Sequence, residues 1–128
     1  MNISYTPEKI DEFVTFAEKE KSSAINVFKA IRSKIHDISI QNAIESPDEL
    51  NSLLDKIKQT RSFLDTKAQK YYNVVKMYDI TDYPDNVSKL DNLTTDLDNI
   101  NDDLYLLEDT LDNIVEAVKK LKGQYFTK

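Results

Sequence analysis

The sequence predicts an all-α protein: three long helices in an up-down-up antiparallel bundle with coiled-coil-like packing. Three observations predict it. Leu90, Leu93, Leu97, Ile100, Leu104, Leu107, Leu111, Ile114, Val118, Leu121 and Tyr125 recur at alternating steps of three and four. That is the 3.5-residue period of a helix laid along partner helices. The residues between them are mostly Asp, Asn and Thr, so one stripe is apolar and the rest of the helix is solvated. Second, each of the three prolines sits in a helix-start context. Third, one glycine in 128 residues leaves little for the turns a sheet protein needs.

The prolines occur as Thr6-Pro7-Glu8, Ser46-Pro47-Asp48 and Tyr83-Pro84-Asp85. Proline suits the first helical position, where its missing N–H has no intrahelical partner to lose. Thr6 and Ser46 are good N-caps, and Ser46 with Glu49 forms a capping box. The acidic residue after each proline faces the positive end of the helix dipole. Gly123 follows Lys119, Lys120 and Lys122, which reads as a C-terminal stop. The predicted helices are about 7–44, 47–78 and 84–122, within one domain spanning 1–128.

Helix one carries Ile10, Val14, Ala17, Lys21, Ala24, Phe28, Ile31, Ile35 and Ile38 on a four-three rhythm. Helix two carries Leu50, Leu54, Ile57, Arg61, Leu64, Ala68, Tyr71, Val75 and Tyr78. The two runs are offset by 40 residues throughout; a shared cap fixing the same heptad phase accounts for it more simply than an internal duplication does. The links, near 41–46 and 79–83, are short enough to force antiparallel neighbours.

Net charge is −6, and Asp85 to Lys122 accounts for all of it with ten acidic residues against four lysines. An acidic chain is a poor candidate for binding nucleic acid through its phosphates. No run approaches the ~18 apolar residues of a membrane span, so no membrane insertion is expected. The start of the chain lacks the basic and apolar run of a cleaved secretory signal, which predicts a cytoplasmic protein or one exported without a signal peptide.

No enzyme, cofactor or metal site is expected. Cysteine is absent and His36 is the only histidine, so neither a thiolate site nor a paired-histidine site can be built. One glycine cannot make a phosphate-binding loop. The run Asp96, Asp98, Asn99, Asn101, Asp102, Asp103 has oxygen ligands, but Leu97, Ile100 and Leu104 keep strict helical period through it. A calcium loop needs a bent backbone with a glycine at its turn, so the run is read as a solvated helix face.

Lys21 and Arg61 interrupt otherwise apolar seams. Their stems can cover the seam while the charge reaches water, or they can set register with carboxylates on a neighbouring helix. If the second turn is centred near residue 82, facing residues of helices two and three sum to about 164, which puts Arg61 level with Asp102 and Asp103. The same register sets Pro47 opposite residue 117 or so. The last turns of helix three then overhang the bundle, with Val118, Leu121, Tyr125 and Phe126 as candidate partner-binding residues. The alternatives are a frayed tail, or a first link that folds over it with Ile40 and Ile44.

The opening Ile3-Ser4-Tyr5-Thr6-Pro7-Glu8-Lys9-Ile10, leading into a long amphipathic helix, resembles the start of the small W-x-G helical-hairpin proteins of type VII secretion systems. Those proteins lack cleaved signals and cysteines, are acidic, and act as homodimers or heterodimers. Their export signal, Tyr-x-x-x-Asp/Glu, is matched by Tyr105 with Asp109 and by Tyr78 with Asp82. The chain departs from the family in having no tryptophan, hence no W-x-G turn, and in having three predicted helices. It is more similar to the helical accessory proteins that accompany LXG toxins into the same system. The resemblance implies a non-catalytic partner or small substrate that pairs with a toxin's helical N-terminal domain, or with a second copy of itself. A cytoplasmic structural or adaptor coiled-coil protein, with no role in export, is the other reading of the same residues.

Overall fold

The computed structural model of the chain describes residues 6–38, 45, 47–77 and 84–126, with backbone alone at Pro7, Pro84 and 122–126. The described residues form three long helices, α1 Pro7–Asp37, α2 Pro47–Lys76 and α3 Pro84–Phe126, and no strand. The fold is an all-α bundle. Each helix begins on its proline. At the first, the Lys9 amide donates to Thr6 Oγ1 at 3.2 Å and the Ile10 amide to the Thr6 carbonyl at 3.1 Å, so the predicted cap is formed. Ser46 and its capping box lie outside the described residues.

Two helix ends differ from expectation. α1 stops at Asp37 and not near residue 44. Ile38 turns extended, at φ −75° and ψ 121°, and its amide donates to the Ile35 carbonyl. Ile35, Asp37 and Ile38 are poor helix formers, two β-branched and one that competes for backbone groups, and the periodic stripe did not register that. α3, conversely, does not stop at Gly123 but runs to Phe126. No described glycine has a positive φ; glycine ends a helix by turning left-handed, and an interior glycine costs only about 1 kcal/mol. Ile40, Ile44 and Tyr78 lie outside the described residues.

The helices pack α3 against both α1 and α2, while α1 and α2 meet far less. Facing pairs fix the directions. Phe13 meets Tyr71 and Glu20 meets Lys67, so α1 and α2 run antiparallel. Asp65 and Ala68 lie beside Asp98 and Thr94, while Leu50 lies beside Val115 and Val118, so α2 and α3 are antiparallel too. α1 and α3 are therefore parallel, and the order is up, down, up.

One apolar cluster runs through all three helices, and Ile10, Leu50, Ile57, Leu64, Tyr71, Leu90, Leu97, Leu104 and Leu111 are its largest fully buried members. Phe13, Leu53, Val74, Val87 and Thr94 are buried as well, beside the predicted stripes. A helix facing two partners buries a wider strip than a single seam. Thr94 is tolerated there because its hydroxyl donates to the Leu90 carbonyl, one turn back, at 2.9 Å. The second half of α1 is less covered: Ile25, Val27, Phe28, Ile35 and Ile38 are only partly buried. No described helix is long and apolar enough to cross a membrane.

Candidate functional site

Three polar clasps tie the helices together. On α1, Glu20 Oε2 accepts the Tyr71 hydroxyl at 2.8 Å, and its Oε1 lies 3.6 Å from Lys67 Nζ. Tyr71 is 1% exposed; burial first, then the bond to Glu20 and its charge, hold the phenol well above its ordinary pKa. Lys21 Nζ reaches Asp96 Oδ2 on α3 at 2.9 Å. Arg61 Nε donates to Asn101 Oδ1 at 2.9 Å, its Nη1 lies 3.2 Å from Glu108 Oε1, and its guanidinium stacks 4.9 Å from the Tyr105 ring centroid.

The last clasp corrects the expected partners of Arg61. The level was right, but Asp102 and Asp103 face solvent. Asn101, Tyr105 and Glu108, spaced by four and three, are the residues α3 turns toward α2.

The acidic run is a helix face. Among the described residues, no group of three or more His, Cys, Asp or Glu is placed to hold a metal ion, and His36 is exposed on the last turn of α1. Within the run, Asp98 is pushed above its ordinary value by partial desolvation and then by Asp102 and Asp65. A folded pKa above the unfolded one means that folding favours the protonated form. That contribution is present at low pH and lost as pH rises through the folded pKa. Asp98→Asn is therefore expected to raise the urea midpoint modestly at neutral pH. The gain should shrink as pH falls through the carboxylate range, and an unchanged gain would assign the effect to packing instead.

The candidate export pair is accessible: Tyr105 is 52% exposed and Asp109 is exposed one turn on. Tyr105 is held against Arg61, so its ring is both clasp and surface. Beside it, Leu106 is 62% exposed. Tyr78 and Asp82 lie outside the described residues.

The expected overhang begins later than predicted. Val118 is 4% exposed, contrary to the reading that leaves it uncovered, because it packs where Pro47, Leu50 and Asn51 begin α2. Leu121 is half-buried. The side chains of Tyr125 and Phe126 lie outside the description, while the α3 backbone outruns the start of α2.

A feature absent from the sequence reading is a groove between α1 and α2, on the side away from α3. One part, about 410 Å³, is lined by Val27, Ala30, Ile31, Lys34, Leu53 and Lys56. The next, about 240 Å³, shares Val27 and Lys56 and continues to Glu20, Ala24, Thr60 and Phe63. No α3 residue lines either part, and α1 and α2 meet directly at Phe13–Tyr71 and Glu20–Lys67. Exposed rings are capped by a cation one turn away, as Lys67 caps Phe63 at the groove's end and Lys76 caps Tyr72 outside it.

The fold and these surfaces define a small helical bundle with accessible helix faces. Compared with known protein families, curated proteins and solved structures, the chain matches none.

Proposed function

We propose that the protein acts without catalysis, as a helical partner of another protein. More specifically, it is a small substrate or accessory targeting factor of a type VII secretion system that pairs with the helical N-terminal domain of an LXG-type toxin. The interaction reading rests on one observation: a largely apolar groove, lined at helical spacing, runs between α1 and α2. The secretion reading rests on the resemblance of the opening residues, and is supported by the accessibility of Tyr105 and Asp109 on one helix face. In this reading the chain is made in the cytoplasm, needs no cofactor, and leaves with its partner without a cleaved signal.

The test is export. The protein should be recovered from culture supernatant only when the secretion ATPase is functional. Tyr105→Ala and Asp109→Ala should each retain it in the cell at normal level and helicity. Normal export of both variants would remove the motif, and absence from the supernatant altogether would favour a cytoplasmic adaptor.

A further inference from the structure

We propose that the groove between α1 and α2 receives a fourth helix, supplied by a partner protein, whose aliphatic stripe is flanked by Asp or Glu. The proposal rests on the interaction reading above and names the partner's chemistry.

The groove is long enough to take several turns of a helix. Its α1 wall runs from Glu20 to Lys34, about four turns or ~21 Å at ~1.5 Å per residue. Ala24 and Ala30 on that wall are small, which lets a docking backbone come close, while Val27, Ile31, Leu53 and Phe63 supply apolar contact. A two-walled apolar channel of this length is what an amphipathic helix lays its stripe into.

Charge selects which helix. The walls, residues 20–34 and 52–63, hold seven Lys and Arg against two carboxylates in a chain whose net charge is −6. Two of those cations, Lys21 and Arg61, are already paired with α3. Lys34 and Lys56 line the groove itself, on opposite walls, and neither has an ion-pair partner among the described residues. The one carboxylate in the lining, Glu20, is already engaged by Tyr71 and Lys67. An incoming helix therefore meets free positive charge on both sides of an apolar floor, and acidic flanks complement it.

A second copy of this chain does not supply that helix. Its acidic surface is on α3, whose aliphatic stripe is mostly turned into its own core. Among the described residues, Leu106 is the one large aliphatic side chain of α3 that is exposed, while Leu107, Ile114 and Val115 are partly covered, and a single exposed residue is not a stripe. Docking α3 of one copy into the α1–α2 groove of another would also be head-to-tail, which leaves a free groove at every step unless the chain closes into a ring.

The test uses the full chain and two labelled peptides of about 20 residues. Both carry the same leucine stripe at helical spacing, with Glu on its flanks in one and Lys in the other. By fluorescence anisotropy the Glu peptide should bind on the order of tenfold or more tightly than the Lys peptide. The double variant Lys34→Glu/Lys56→Glu should reverse that order, and Ala30→Gln should weaken both by filling the floor. Ala30, Lys34 and Lys56 are exposed, so unchanged circular dichroism is expected, and the charge-reversal result stands independently of the Ala30 variant. Equal binding of the two peptides, no binding of either, or a preference unmoved by charge reversal would overturn the proposal. So would displacement of the Glu peptide by phosphatidylglycerol vesicles or by an oligonucleotide, or self-association through the same two lysines. Peptide failure with intact Tyr105-dependent export would sink the groove and leave the secretion reading standing. Peptide success with no export would do the reverse.

Discussion

Leu104→Ala is expected to lower the stability of the isolated protein by about 3–5 kcal/mol, the range for deleting a fully buried leucine side chain that neighbours cannot replace. Leu104 is 0% exposed, midway along α3. Its helix packs against both others, so no single neighbour can collapse into the void without leaving another. Leu107, one step further along the same stripe, is only partly buried, and Leu107→Ala should cost roughly 1–2 kcal/mol, since fewer of its contacts are lost. Urea unfolding of both variants measures the contrast. A loss below about 0.5 kcal/mol at Leu104 would mean that the stripe faces a separate partner and that the bundle is not closed by its own chain.

The core was legible because burial in a bundle is periodic. The stripe through Leu90, Leu97, Leu104 and Leu111 names fully buried residues, and the Thr6 cap and three prolines mark where helices start. What periodicity cannot supply is direction around the helix axis at finer grain than a stripe. Summing residue numbers across the second turn located the level of Arg61 correctly. Choosing among Asn101, Asp102 and Asp103 is a matter of ~100° per residue, and only Asn101 faces α2. The ends failed for a different reason. A stripe continues on paper through Ile38 and stops on paper at Gly123, but the backbone follows local propensity at the first and tolerates glycine at the second.

The groove was the least legible part, because it depends on how α1 and α2 sit against each other, and neither helix encodes that alone. A faint signal exists. Phe16, Glu20, Ser23, Val27, Ala30 and Lys34 form a second four-three run on α1, and Ser52, Lys56, Gln59 and Phe63 one on α2. These runs hold small and basic residues where a packed seam would hold leucine. Read together, they describe two helix faces that line a shared space without filling it.

Tyr71 is expected to give the second large effect, and one that depends on pH. Its ring is packed 6.0 Å from that of Phe13, and its hydroxyl joins α2 to Glu20 on α1, at the end where these two helices meet. Tyr71→Ala removes ring and clasp together, for an expected loss of about 3–5 kcal/mol. Tyr71→Phe removes only the bond to a charged acceptor, about 1.5–3 kcal/mol, and leaves Glu20 with Lys67 alone. The phenol's folded pKa lies above its ordinary value of 10.0 because burial and the Glu20 charge both oppose the phenolate. Its contribution to stability is therefore fully present below pH 10 and lost as pH rises from there toward the folded value. Unfolding midpoints between neutral pH and pH 11 should converge for wild type and Tyr71→Phe as the wild type loses this contribution. Curves that stay parallel across that range would mean the hydroxyl is not held as a buried donor to Glu20.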